Sequence, residues 1–96
     1  MAPRWPFVEP ENLAVITTKK IVSGDHPILH VVHDGDDEGW QFLGPVTPRE
    51  DDAAVVAFRT IVRLDETVGM LADLPPGWRA WRRSPDEPWR RAEIAG

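Results

Sequence analysis

The amino-acid sequence predicts an α+β domain, a small and mainly antiparallel sheet of about five strands with one or two short helices. Five short runs rich in Val, Ile, Phe and Trp are separated by clusters of Gly, Pro, Asp and Ser, the punctuation of strands joined by turns. From Arg59 the apolar spacing changes from strand alternation to the i, i+3, i+7 spacing of a helical face. At 96 residues and 42% hydrophobic, the chain has material for one core, hence a single domain over residues 1–96.

Residues 1–12 are rich in proline and read as an extended arm, docked by Trp5 and Phe7. Leu13–Thr18 is a β-branched apolar run and reads as an inner first strand. After the turn formers Ser23–Pro27, Ile28–His33 reads as a second strand, with Ile28, His30 and Val32 on one face and Leu29, Val31 and His33 on the other. Asp34–Gly39 makes a turn, because crowded like charges and two glycines oppose regular structure, and Trp40–Leu43 completes a hairpin. A polar loop, Gly44–Asp52, leads into a fourth strand over Ala54–Phe58.

Ile61, Leu64, Val68 and Leu71 then share one helical face. Asp65 suits an N-cap, so the spacing predicts a helix over 59–64, a kink, and a second helix over 66–73, stopped by Pro75-Pro76-Gly77. Trp78–Arg83 alternates as a fifth strand, with Trp78, Ala80 and Arg82 on one face and Arg79, Trp81 and Arg83 on the other. Residues 90–96 are expected to fray. The pattern selects Val15, Val31, Phe42, Val56, Leu64, Leu71, Trp78 and Trp81 as core.

Charge is unevenly placed. Residues 1–77 hold six Lys and Arg against 13 Asp and Glu, a net −7; residues 78–96 hold five Arg against three acids, a net +2. An acidic body opposes generic binding to nucleic acid or anionic lipid and favours a cationic protein partner. The Arg/Trp stretch resembles a single-strand-binding surface only in composition, and its arginines are expected to face solvent and pair with the acidic loops. There is no cysteine, so no disulfide or thiolate metal site, and no apolar run approaches the ~20 residues of a bilayer span. The expected location is cytoplasmic, with no membrane partner.

Catalytic signatures are thin. Ser23 and Ser84 sit in turn sequences without an adjacent base, Cys and Tyr are absent, and neither a phosphate loop nor a paired-carboxylate motif occurs, so the expectation leans away from an enzyme. His30 and His33, three apart on a strand, point to opposite faces and cannot share one metal ion. No cofactor is expected. The candidate partner-binding residues are Asp34, Asp36, Asp37 and Glu38 in the hairpin tip, with Glu50, Asp51 and Asp52 in the next loop.

The N-terminal Pro-Phe, the strand Val15-Ile16-Thr17-Thr18, the Asp/Gly-rich turn into Trp40-Gln41-Phe42, the Ile61–Asp65 stretch, and Leu74-Pro75-Pro76-Gly77-Trp78 with Trp81-Arg82 and Pro88-Trp89 together resemble small bacterial proteins of the domain of unknown function 2185 group. Some broader relatives of that group look like immunity proteins of bacterial toxin systems. The resemblance implies a binding role, immunity-like or regulatory, and carries no active-site residues onto this chain. The alternative is a small enzyme or ligand-binding domain whose pocket residues converge only in three dimensions.

Asp34, Asp36 and Glu38 before Gly39 match the first half of a calcium loop, but position twelve, where a bidentate Glu is required, is Pro45. Millimolar calcium is therefore expected to leave the melting temperature unchanged. A native-state ligand at one hundred times its Kd adds about 2.7 kcal/mol, so a rise of several degrees, abolished by Asp36→Ala, would contradict this reading.

Overall fold

The computed structural model describes residues 5–94. The strands are β1 (Ala14–Thr18), β2 (His30–His33), β3 (Trp40–Leu43), β4 (Ala53–Ala57), β5 (Trp78–Trp81) and β6 (Arg90–Glu93). They form one six-stranded sheet in the order β4-β1-β3-β2-β5-β6, antiparallel throughout except for the parallel β1–β3 pair. The α+β class and the mainly antiparallel sheet agree with the sequence reading. The sixth strand does not: Arg90–Glu93, expected to fray, pairs with β5 from Trp78↔Glu93 to Trp81↔Arg90. Polar residues in β6 mask an edge strand, which needs no apolar signature.

A second departure is α1 (Lys19–Val22), one helical turn directly after β1. The Thr18 hydroxyl accepts from Ile21 N at 3.2 Å, and the turn buries Ile21. The helical region follows the expected kink. Helix α2 (Phe58–Leu64) ends at Asp65, and a 3₁₀ segment, Glu66–Leu71, begins there with Asp65 accepting from Thr67 N at 3.0 Å.

Alternation sorts the sheet into two faces. Val15, Val31, Trp40, Phe42 and Ala80 are buried on one face with Phe58, Ile61, Val68 and Leu71 of the helical layer, and Phe7 of the arm joins them. Phe7 and Phe58 meet tilted at 4.3 Å between centroids, and Phe58 also meets Trp40 and Phe42 at 5.5 and 5.6 Å. Each such aromatic removes roughly 150–250 Å² from water, about 4–6 kcal/mol of transfer free energy before entropy. Two of the expected core residues lie elsewhere. Leu64, at the last turn of α2, is 44% exposed. Trp81 falls on the opposite face of β5 from Ala80 and carries Arg79 over its ring at 4.3 Å.

The largest correction concerns the arginines. Arg82 was expected to face solvent; alternation places it with Trp78 and Ala80 on the covered side, and it is 4% exposed. Its Nε and Nη2 donate to Ile28 O at 3.2 and 2.9 Å, its Nη1 to Thr67 Oγ1 and Pro85 O, and its Nη2 pairs with Asp65. The guanidinium also stacks on Trp89 at 4.0 Å. Arg91 pairs with Asp73. No arginine pairs with either acidic loop among the described residues.

Asp65→Asn keeps the helix cap, since an amide oxygen accepts from Thr67 N, but leaves the buried Arg82 charge without its counter-ion. The expected loss is roughly 2–3 kcal/mol, given that the Asp65 side chain retains 20% exposure. Urea unfolding measures it, and a loss below about 0.5 kcal/mol would show that the carbonyls alone hold the guanidinium.

Candidate functional site

The β2–β3 hairpin builds the acidic tip from its backbone upward. His33 faces Trp40 in the register, and Asp34 N donates to Gly39 O at 2.8 Å to close the loop. Two aspartates then fold the turn on themselves: Asp34 Oδ1 accepts from Asp36 N at 2.7 Å and Asp37 Oδ1 from Gly39 N at 2.8 Å. Glu38 sits at φ 59, a left-handed conformation unusual for a residue with a Cβ. A Cβ at Gly35 would lie 3.3 Å from Gly77 Cα, so the tip rests against the turn that enters β5. Gly77 itself has φ +87 and donates to His33 O at 2.7 Å. Asp36, Asp37 and Glu38 are exposed, and none of the four tip acids has an ion-pair partner among the described residues.

Beneath the tip lies a cluster that sequence reasoning missed. The His33 ring stacks on Trp40 at 4.0 Å, and its Nδ1 lies 2.7 Å from Leu74 O. A carbonyl only accepts, so the Nδ1 proton is fixed there and Nε2 faces Glu9 at 3.7 Å. The Glu9 carboxylate accepts from Trp40 Nε1, and its backbone carbonyl from Trp5 Nε1. This cluster clamps the arm to the sheet. The Glu9 carboxylate is separated from His33 and Trp40 by more than twenty residues, so no local spacing could have revealed their contact.

The seven candidate acids do not share one end of the sheet. The tip lies where β2 ends and β3 begins, whereas Glu50–Asp52 form a 3₁₀ turn beyond the other end of β3, next to the start of β4. Four residues of strand, about 13 Å, separate the two ends. Asp52 Oδ2 accepts from Arg49 N at 3.2 Å, while Glu50 and Asp51 are exposed.

The sheet face away from the helices carries His30, Val32, Gln41, Ile16, Val55 and Trp81. His33 lies on the covered face, so the two strand histidines point apart. His30 lines a shallow cleft of about 390 Å³ with Leu43 and Gly44–Pro48, and its Nε2 is buried without a hydrogen-bond partner among the described residues. Burial, and secondarily the Arg79 charge, hold the His30 pKa below 6.5. A larger cleft of about 570 Å³ is lined by Ile21, Gly24, His26, Pro27, Ile28, Leu64, Asp65 and Pro85. Both Asp65 oxygens there are occupied, one by Thr67 and one by Arg82. Among the described residues no helix is long and apolar enough to cross a membrane, and no three His, Asp or Glu side chains converge as a metal site.

In comparisons with protein-family models, curated proteins and solved structures, nothing matches this chain.

The His30 environment sets a pH dependence. Its folded-state pKa lies below the unfolded value near 6.5, so as pH falls the unfolded chain takes up the proton first. The contribution is complete above about pH 6.5 and declines as pH falls to the lowered native value. Stability measured by urea unfolding is expected to fall more steeply across this interval in the wild type than in His30→Gln. Parallel profiles would contradict the burial argument.

Proposed function

We propose that this chain is a small bacterial protein-binding module, immunity-like or regulatory, that engages a cationic protein through the hairpin tip Asp34, Asp36, Asp37 and Glu38. The observation behind this reading is a turn fixed by backbone hydrogen bonds to the Asp34 and Asp37 carboxylates, on which Asp36, Asp37 and Glu38 are exposed and no tip acid has a cation among the described residues. A preorganised array of one sign steers an oppositely charged partner and loses little entropy on docking. Three arginines of the C-terminal basic stretch are used elsewhere in the fold: Arg82 holds Asp65, Arg91 holds Asp73 and Arg79 lies over Trp81. Those commitments, with the net charge of −5, weigh against nucleic acid as the partner. The 570 Å³ cleft gives a ligand-binding reading less support, because the Asp65 carboxylate in its wall is already bonded within the fold.

The test begins with capture of a partner from the native host. It compares the wild type with a variant carrying Asp34→Asn, Asp36→Asn, Asp37→Asn and Glu38→Gln, in which the amide oxygens still accept the turn's N–H groups. The fold is expected to survive, and association to slow by about tenfold at low salt, with the difference shrinking as ionic strength rises. An association rate indifferent to both the substitutions and salt would exclude the tip as the interface.

A further inference from the structure

The two edges of the sheet are treated differently by the sequence. At one edge, β6 reads Arg90-Arg91-Ala92-Glu93, charged in the way that keeps an edge from pairing. At the other, β4 reads Ala53-Ala54-Val55-Val56-Ala57, with no charge, no proline and five residues in unbroken register with β1. Val55, at its centre, is 69% exposed. Such an edge is a template for another strand.

The hydrogen-bond phase says which groups are free. Phe58 N donates to Leu13 O at 2.8 Å, which marks 13↔58 as a hydrogen-bonded pair in the register that runs from Ala14↔Ala57 to Thr18↔Ala53. Antiparallel pairs alternate, so Val56 and Ala54 turn their backbone groups toward β1, while Ala53, Val55 and Ala57 turn theirs outward. Ala53 N–H is taken by Glu50 O. Among the described residues, the N–H and C=O of Val55, the C=O of Ala53 and the N–H of Ala57 remain for a partner.

We propose that β4 pairs with β4 of a second copy of this chain, antiparallel, about a two-fold axis at Val55. In this register Val55 faces its own copy and Ala53 faces Ala57, so the free groups are the ones that meet, making about four interchain hydrogen bonds. The charges decide for a second copy over an unrelated strand. Glu50 and Asp51 precede β4 and Arg59 and Arg63 follow it, all four exposed and without ion-pair partners among the described residues. Antiparallel pairing brings the end of β4 that follows Asp51 in each copy beside the end that precedes Arg59 in the other. The two sheets become one, with both helical layers on the same side and the Asp34–Glu38 tips free, so this interface is independent of the tip's proposed partner. An edge of five residues is a small interface, and the assembly is accordingly concentration-dependent.

The experiment is sedimentation of the full chain from about 10 µM to about 1 mM, with amide hydrogen exchange at both limits. The average mass should rise from 10.8 kDa toward twice that value, and the Val55 and Ala57 amides should gain protection with concentration while those of Ala54 and Val56 stay protected throughout. Val55→Pro removes an N–H that β1 does not use, so the monomer should fold and the dimer should be lost. Arg59→Glu should weaken the dimer by about tenfold, and adding Asp51→Arg should restore it. A mass of 10.8 kDa at every concentration, as expected if a different protein supplies the strand, would overturn the proposal. So would a dimer indifferent to the charge exchange.

Discussion

The guanidinium of Arg82 joins four parts of the chain that are distant from one another in sequence or separated by turns. It meets Ile28 O before β2, Thr67 and Asp65 at the break between α2 and the 3₁₀ segment, Pro85 O in the last turn, and the ring of Trp89 ahead of β6. An arginine presents five donors in a rigid plane, and four oxygens with one aromatic face satisfy it here. A buried guanidinium is tolerable only if so satisfied, so the positions of the kink, the final turn and the sixth strand depend on one another through this side chain. Asp65 serves twice, as helix cap and as counter-ion.

On the other side of the core, the arm closes the fold. Phe7 fills the space between Phe58 and Trp40, while the indoles of Trp5 and Trp40 hold the carbonyl and carboxylate of Glu9. Hydrophobic burial supplies the drive, and the polar contacts select the register in which the arm lies down. His33 completes this arrangement from beneath the acidic tip, which ties the shape of the β2–β3 turn to the packing of the arm.

Charge is divided by topology. Because β3 lies between the two acidic segments in the chain, they leave the sheet at opposite ends. One is a folded turn whose carboxylates have no ion-pair partner among the described residues; the other adjoins an uncharged edge strand with arginines at its far end. A single acidic surface is thereby replaced by two separate features with different complementary partners.

The first five strands, the kinked helix and its Asp65 cap were legible in the sequence because alternation, helical spacing and capping depend on neighbours a few residues apart. The faces of β2 and β3, with Val31 and His33 covered alongside Trp40 and Phe42, follow from the same periodicity. The tertiary structure alone decided that Arg82 is buried, that Trp81 and not Trp78 lies on the open face, and that Arg90–Glu93 is a strand. Each of these turns on a contact distant in the chain. An arginine reads as surface until its oxygens converge, and an edge strand can be as polar as a loop because one side of its ladder always faces water.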